Sequence, residues 1–373
     1  MIPRFQEAKI KELLFKGKVV ILLGPRQVGK TTLIKTIAEQ SGLDYLFLDA
    51  DDVVVRNYIS KPDTILLKQI IGNHKLIIID EAQRVENIGL VAKIIVDQFK
   101  DVQLILSGSS SFELTQQINE PLTGRKFTFQ LWPVSWNEFE QHSGFLSAAQ
   151  WLETRLVYGF YPDVIVNDPI KERIIKELTD SYLFKDVLAH GNIRKPELLQ
   201  QLVQALAYQC GQEVNYSELS NLLKIDSKTV SQYIELLEKS FVVFRLNSFS
   251  GNLRNEIKLS KKIYFLDNGI RNALIGNFDP IQNRTDTGLL WENFLMSERF
   301  KFNNYHQNGY NMHFWRTKQQ QEIDLIEVKD KQIRAFEFKW NPLKKIKIPK
   351  TFQNTYGISI ATVNRDNFRD FLK

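Results

Sequence analysis

The sequence predicts an α/β protein built in three parts: a parallel β-sheet with flanking helices, a mainly helical region, and a second α/β region. The first observation behind this fold class is an alternation of strand and helix signals. Apolar runs at 18–23, 76–79 and 102–106 alternate with helix-period segments at 31–40 and 87–99. Continuous apolar strands separated by helices are typical of a parallel sheet that is covered on both faces.

The second and third observations locate the other two parts. Helical periodicity dominates from about 136 to 239, and strand patterns return around 312–315, 322–328 and 333–340. A length of 373 residues allows two or three domains of ordinary size. We therefore predict three domains, which comprise residues 1–135, 136–250 and 251–373.

The composition excludes several classes of protein. Hydrophobic residues make up 43% of the chain and charged residues 25%, which fits a globular protein and not a disordered or fibrous one. The single cysteine, Cys210, rules out an internal disulfide framework and a cysteine-based metal cage. No apolar run approaches the ~18 residues of a membrane span, and the first residues lack the apolar segment of a signal peptide. We expect a cytoplasmic protein that makes no membrane contact.

The positive charge is concentrated in the last third of the chain. Residues 251–373 contain 21 Lys and Arg against 13 Asp and Glu, a balance of +8, whereas the first 250 residues have a balance of −2. Such asymmetry indicates either a domain that faces a polyanion such as DNA or a solvated basic surface.

A phosphate-binding loop follows the first predicted strand. The segment fits the pattern GxxxxGK[ST] and lies between an apolar strand and an amphipathic helix, which is the context that the mechanism requires. Its backbone N–H groups are expected to surround phosphate oxygens, with Lys30 at the β- and γ-phosphates and Thr31 on Mg²⁺. The predicted nucleotide-binding residues are Gly24, Pro25, Arg26, Gln27, Val28, Gly29, Lys30, Thr31 and Thr32.

Two carboxylates end the second predicted strand. Asp80 and Glu81 follow the apolar run at 76–79, and the carboxyl ends of parallel strands meet at one edge of a sheet. We expect Asp80 to hold Mg²⁺ and Glu81 to polarise an attacking water, which makes the domain a hydrolase. A hydroxyl from the segment 107–110, after the third strand, is expected near the γ-phosphate.

Two arginines are candidates for stabilising the transferred phosphate. Arg125 is expected either to act as an arginine finger in the site of a neighbouring copy, which requires a homo-oligomer, or to form a surface salt bridge. Arg26, inside the phosphate loop, is the rival candidate.

Four segments, in this order and spacing, resemble prokaryotic AAA+ ATPases of the AAA_14 type: GPRQVGKTTL, IIIDEAQR, LILSGSS and PLTGR. The resemblance covers nearly the whole chain. It implies an ATP-hydrolysing domain with Lys30 and Thr31 on the nucleotide and the metal, and with Asp80 and Glu81 as the acidic pair. It also implies that Ser109 lies near the sensor position.

The helical part contains a winged-helix candidate at 216–239. Two short helices are predicted across a tight turn, with Ser217 capping the first and Asp226 or Ser227 capping the second. The run at 241–246 supplies wing strands. Because the second helix exposes only one basic residue, we favour a structural or partner-docking role over a DNA-reading one.

Two predicted strands near the C-terminus bring acidic residues together. A two-residue turn at 330–331 places Asp324 directly across from Glu337, on the same face as Lys339. Two carboxylates and a lysine make a site for a hard divalent cation such as Mg²⁺, which activates water against a phosphodiester. The alternative is a cross-strand salt bridge between Lys339 and Asp324.

This spacing resembles the PD-(D/E)xK nuclease core, and the segments KIYFLDNGIRNAL and GLLWENF resemble the DUF4143 domain that accompanies AAA_14 ATPases. The resemblance implies Glu292 as the helical acid, while Glu298 lies nearer the centre of the apolar face of its helix. A basic run at 344–350 follows the cluster. We expect an ATPase coupled to a nuclease-like domain that processes DNA. The alternative is an ATP-gated switch that binds nucleic acid or a protein without cleavage.

Overall fold

The computed structural model describes residues 1–109, 111–190, 195–250, 260–317, 319–344 and 349–373, and for 111–113, 182–190 and 350 it describes the backbone alone. The chain forms two compact units, Met1–Val134 and Ser135–Lys373. The predicted boundary at 135/136 lies beside this division, and the predicted boundary at 250/251 lies inside the second unit. Most of the basic run at 344–350 lies outside the described residues.

The first unit is built on one five-stranded parallel sheet with the strand order β2-β3-β4-β1-β5. The strands are β1 (Val19–Leu23), β2 (Tyr45–Asp49), β3 (Leu76–Asp80), β4 (Gln103–Gly108) and β5 (Lys126–Gln130). The helices are α1 (Gln6–Leu13), α2 (Lys30–Gln40), α3 (Val53–Ile59), α4 (Thr64–Ile71), α5 (Ile88–Gln98) and α6 (Ser111–Asn119), with a 3₁₀ turn at Ala82–Arg84.

Burial explains which strands the sequence predicted. Every residue of β1, β3 and β4 is buried, so these three central strands read as continuous apolar runs and were predicted from the sequence. The outer strands β2 and β5 are mostly half-buried and carry mixed sequences, which gave no strand signal. The α/β class with a parallel sheet is confirmed.

The second unit begins with helices and is completed by a second sheet. Its helices are α7 (Trp136–Ser143), α8 (Phe145–Tyr158), α9 (Pro162–Val166), α10 (Lys171–His190), α11 (Pro196–Tyr208), α12 (Tyr216–Leu223), α13 (Ser227–Lys239), α14 (Asn268–Leu274), α15 (Thr287–His306), α16 (Lys350–Tyr356) and α17 (Phe368–Phe371). Short 3₁₀ turns lie at Asp168–Ile170 and Ile281–Asn283. No helix within the described part of the chain combines the length and the apolar character needed to cross a membrane.

One seven-stranded sheet runs through the second unit in the order β12-β11-β10-β9-β7-β8-β6. Its strands are β6 (Glu213–Val214), β7 (Val243–Ser248), β8 (Lys261–Phe265), β9 (Asn311–Arg316), β10 (Glu322–Lys329), β11 (Gln332–Phe338) and β12 (Ile360–Val363). A short parallel pairing joins β7 to β9, with Asn247 opposite His313 and Ser248 opposite Phe314. Strands from both sides of residue 250 therefore share one sheet.

The helix pair α12–α13 lies where the sequence placed it, and one of its caps differs from the prediction. The prediction that Ser217 caps α12 was wrong: Asn215 is the N-cap, because its side-chain oxygen accepts from the backbone N–H groups of Ser217 and Glu218. Asp226 caps α13 by accepting from the backbone N–H of Thr229 at 2.9 Å. The winged-helix assignment stays a prediction.

The β10–β11 hairpin has the predicted register. Leu325 lies opposite Phe336 and Val328 opposite Ile333, so the turn falls at 330–331, and Asp330 has a φ of +54°. Continuing this register by one position places Asp324 across from Glu337, as the sequence predicted.

Candidate functional sites

The phosphate loop connects β1 to α2, and two glycines make its path possible. A Cβ atom at Gly24 would lie 2.1 Å from the carbonyl oxygen of Leu131, so a side chain there would collide with the backbone that follows β5. Gly29 has a φ of +90° and immediately precedes α2, a conformation that glycine adopts without steric cost. The loop therefore ends at a helix N-terminus, whose backbone N–H groups favour an anion.

Lys30 begins α2, and its side chain turns back into the loop. Its ammonium donates to the carbonyl oxygens of Gly24 at 2.9 Å and Pro25 at 2.7 Å, and the side chain is buried. From the other side, Arg4 donates 2.6 Å hydrogen bonds to the carbonyls of Val28 and Trp132. Arg4 carries no motif signal, and sequence reasoning missed it.

The other predicted residues of the loop differ in how far they are exposed. Val28 is fully buried, Arg26 is half-buried, and Gln27 is exposed with a φ of +57°. Pro25 is buried, and Thr32 is exposed in the first turn of α2.

Asp80 lies at the carboxyl end of β3 and is bracketed by two hydroxyls. Thr31 Oγ1 donates to Asp80 Oδ2 at 2.6 Å, and Ser107 Oγ donates to the other carboxylate oxygen. Asp80 and Ser107 are buried. A hydroxyl and a carboxylate oxygen in contact are hard ligands of the type that Mg²⁺ prefers, so these residues fit that ion.

Glu81 follows Asp80 and adopts a left-handed conformation, with a φ of +50°. A non-glycine residue in this region costs on the order of 1 kcal/mol, and such strain concentrates at functional sites. The Glu81 carboxylate accepts from Ser109 Oγ at 2.9 Å and from the Gln83 amide, which also lies 3.1 Å from Ser109 Oγ. The structure thus brings Glu81 and Ser109 together, and it adds Gln83, which the sequence reasoning had not singled out.

Arg125 lies at the amino ends of the strands, whereas the phosphate loop lies at their carboxyl ends. It immediately precedes β5, and β5 runs parallel to β1 with Lys126 opposite Val19, at the start of both strands. The guanidinium donates to Asp97 at 2.9 Å and is partly exposed. The hydrogen bond from Arg125 lowers the pKa of the Asp97 carboxyl. A finger role for Arg125 would therefore concern the site of a neighbouring copy.

The second unit brings the other four predicted residues together. We call Glu292, Asp324, Glu337 and Lys339 the C-terminal cluster; they come from α15, β10 and the end of β11. Burial, followed by the negative charges of Glu292 and Glu337, raises the pKa of Asp324 well above its usual range. Lys339 Nζ lies 2.6 Å from Glu337 Oε1, and the backbone N–H of Phe338 donates to Asp324 at 2.7 Å.

The structure distinguishes between the two helical acids. Glu292 faces the other residues of the C-terminal cluster, since its negative charge acts on both Asp324 and Lys339. Glu298 lies elsewhere: its carboxylate accepts from the Trp136 backbone N–H at 2.6 Å and is paired with Lys301 at 2.7 Å.

A buried lysine, Lys262, contacts the C-terminal cluster. The sequence reasoning did not single it out. Lys262 on β8 is 1% exposed, and its Nζ lies 3.4 Å from Glu292 Oε1 and pairs with Glu322. The hydroxyl of Tyr264 donates to the same Glu292 oxygen at 2.7 Å. Burial disfavours the charged ammonium, but the carboxylates around it raise the pKa of Lys262 overall. Across the described ranges, no group of three or more His, Cys, Asp and Glu side chains is arranged to hold a metal ion.

Comparisons with known families divide the chain into three matched segments. Residues 16–140 match the AAA domain model AAA_14, residues 149–280 match a domain of unknown function, DUF8612, and residues 287–368 match another, DUF4143. Residues 16–140 are therefore similar to an AAA domain of the P-loop type, and residues 287–368 are similar to a DUF4143 domain. The phosphate loop and the acidic pair lie inside the first match, and all four residues of the C-terminal cluster lie inside the third.

Several curated proteins, all described as uncharacterized, are similar to this chain. One from Haemophilus influenzae is 28% identical over 210 residues, which is 53% of this chain and 52% of that protein. One from Mycobacterium tuberculosis is 28% identical over 323 residues, covering 85% and 69% of the two chains. One from Methanocaldococcus jannaschii is 26% identical over 275 residues, covering 68% and 62%. The chain thus spans about half the length of the Haemophilus relative.

Among solved structures, the Pif1 helicase from Candida albicans aligns with 48% of this chain and 48% of its own. The TM-score is 0.27 and the sequence identity is 15%. These values are too low to bear on the fold or the function.

Proposed function

We propose that this AAA-domain protein is a Mg²⁺-dependent ATPase whose C-terminal part engages DNA. The observation that carries the ATPase proposal is the contact between the Thr31 hydroxyl and the Asp80 carboxylate at 2.6 Å, beside the buried ammonium of Lys30. These are the three side chains that a nucleotide–metal complex needs at the end of a phosphate loop.

Each residue has a role that follows from its position. The loop backbone and the N-terminus of α2 bind the phosphates, and Lys30 exchanges its carbonyl partners for phosphate oxygens. Thr31 and Asp80 would hold Mg²⁺, which when bound neutralises charge on the phosphates. Glu81 orients a water and accepts its proton, and Ser109 positions the Glu81 carboxylate through their hydrogen bond.

A comparison of two threonine variants tests the ATPase proposal. In Thr31→Ala, Mg²⁺-dependent phosphate release should fall by at least tenfold, because the metal loses one ligand. Thr64→Ala is the matched control, since Thr64 is also in the first turn of a helix but is exposed and lies on α4. Wild-type turnover in Thr31→Ala would contradict the proposal, and so would turnover that EDTA does not change.

The DNA proposal rests on charge. The +8 balance of residues 251–373 supports contact with a polyanion. Affinity for DNA should weaken steeply as salt rises, and DNA should change the ATPase rate. If DNA processing includes cleavage, plasmid should be nicked in a metal-dependent way, and Lys339→Ala should abolish the nicking while Lys331→Ala, an exposed lysine in the hairpin turn, should not. If no divalent metal supports cleavage, the DNA proposal is reduced to DNA binding.

A second candidate function is an ATP-gated switch that holds nucleic acid or a protein without cutting. The observation that favours it is the buried ammonium of Lys262 among the carboxylates of the C-terminal unit. In that case ATP hydrolysis responds to the partner, and Glu337→Ala leaves both hydrolysis and the response unchanged. Loss of partner response in Glu337→Ala would argue against it.

A further inference from the structure

We propose that the ammonium of Lys262 stands at the cation position of the C-terminal cluster, so that these carboxylates are neutralised from within the chain and hold no divalent metal. The proposal concerns the second unit alone and does not depend on the ATPase proposal. The sequence predicted a Mg²⁺ site here, from two carboxylates and a lysine on one face of the hairpin. The residues around the cluster do not fit that ion.

The Lys262 side chain lies among carboxylates from two other elements of the second unit. Lys262 lies on β8, within hydrogen-bonding or ion-pairing distance of Glu292 on α15 and Glu322 on β10. The charge of Asp324 acts on it as well. A divalent cation bound by Glu292 would have to approach the carboxylate oxygen that this ammonium already contacts.

Each carboxylate of the cluster already has a partner in the chain. Glu337 is paired with Lys339, and Asp324 accepts from a backbone N–H. Glu292 accepts from the Tyr264 hydroxyl besides facing Lys262. These contacts occupy carboxylate oxygens that a divalent metal would need as ligands, and the two lysines offset part of the negative charge.

Further charges surround the site. Arg316 on β9 lies 3.5 Å from Glu322 and 3.1 Å from Glu213 on β6, so Glu322 faces two cations. Lys262 and Lys339 contact the cluster and Arg316 contacts Glu322, so an added Mg²⁺ would be repelled by three positive charges, of which that of Lys262 is buried. The same chain of ion pairs links β6, β9, β10, β8 and α15, and this linkage accounts for the burial of Lys262 as a structural cation.

The test is a Mn²⁺ titration of the full chain without nucleotide, followed by the paramagnetic resonance signal of free Mn²⁺. All proteins carry Asp80→Asn, so that the phosphate-loop site takes up no metal and failure of the ATPase proposal leaves this test intact. The expected result is that the Asp80→Asn chain leaves the Mn²⁺ signal at the buffer level. The added change Lys262→Ala should create one site for Mn²⁺, and a further Asp324→Asn should remove it.

Two results would overturn the proposal. One is a molar equivalent of Mn²⁺ bound by the Asp80→Asn chain and lost in Glu292→Gln. The other is a folded Lys262→Ala chain that binds no Mn²⁺, which would show that the ammonium does not stand at a cation position. Lys331→Ala, in the same background, controls for loss of a lysine elsewhere. If Lys262→Ala is not folded by circular dichroism, Lys262→Gln replaces it, with the same gain of Mn²⁺ expected and its absence counting against the proposal.

Discussion

Replacing Glu81 by glutamine should separate ATP binding from ATP hydrolysis. The substitution keeps the size of the side chain and removes the carboxylate that we assign to the attacking water. In the folded protein this carboxylate accepts from Ser109 Oγ at 2.9 Å and from the Gln83 amide. The backbone N–H of Glu81 donates separately to Ser107 Oγ at 3.3 Å, so the change leaves that contact intact.

The structure gives different magnitudes for stability and for catalysis. A glutamine oxygen can still accept from Ser109, so the folded state exchanges a charge-assisted hydrogen bond for a neutral one, a loss of about 1 kcal/mol. A positioned general base contributes about 10²–10⁴-fold to a rate, which corresponds to roughly 3–5 kcal/mol in the activation free energy. Lys30, Thr31 and Asp80 are untouched, so ATP affinity should stay within a few-fold of wild type.

The assay is single-turnover hydrolysis of labelled ATP together with retention of unhydrolysed ATP on the protein after gel filtration. Glu81→Gln should retain ATP and hydrolyse it at least a hundredfold more slowly. Glu86→Gln is the matched control, because Glu86 is exposed in the segment that follows and should behave as wild type. Hydrolysis by Glu81→Gln within tenfold of wild type would refute the role assigned to this carboxylate.

Three further predictions concern other residues. Lys30→Ala should weaken ATP binding by at least tenfold, because a charge-assisted contact contributes about 1.5–3 kcal/mol; calorimetry against the exposed Lys16→Ala checks this, and equal affinities would contradict it. Burial raises the pKa of the Cys210 thiol to about 12, so at pH 8 it should resist iodoacetamide in the native protein and react only on unfolding. The pKa of the thiol is about 9 in the unfolded chain and higher in the folded protein, so the thiol contributes fully to stability below about pH 9. As the pH rises further, the unfolded chain loses this proton first and the free energy of unfolding should fall. Urea melts between pH 8 and 10 would show this trend. Arg125→Ala should cost less than about 1 kcal/mol in stability, since its pair with Asp97 is partly exposed. If Arg125 acts in a neighbour's site, mixing Arg125→Ala with Lys30→Ala chains should restore hydrolysis, and no recovery would count against the finger.

The sequence was most informative where a local rule determines position. The glycine pattern placed the loop between β1 and α2, and the acidic pair placed Asp80 at the end of β3. The two-residue turn at 330–331 predicted the β10–β11 register, because pairing in a tight hairpin follows from the turn alone. Gln83 was missed because nothing in its spacing indicates that its amide reaches the Glu81 carboxylate.

The parts that sequence reasoning missed depend on contacts between distant segments. Lys262 and Glu322 are separated by 60 residues and meet only because α15 and β8–β10 pack together. Read along the chain, Lys262 is one basic residue in a mixed strand, and the carboxylates that explain its burial lie on two other elements, α15 and β10. The parallel pairing of β7 with β9 was unpredictable for the same reason, since two register pairs leave no pattern in either strand.

The shortness of that pairing determines how the second unit opens. Between β7 and β9 the sheet has two register pairs, and the Phe249 N–H just after β7 donates to the Phe314 carbonyl at 2.6 Å, whereas β10 and β11 pair over five positions. In amide hydrogen exchange, strands β6–β8 and strands β9–β12 should therefore behave as two cooperative blocks that separate between β7 and β9 at a lower free energy than either block unfolds. The sheet is continuous in its hydrogen bonding, and we expect it to open first between β7 and β9.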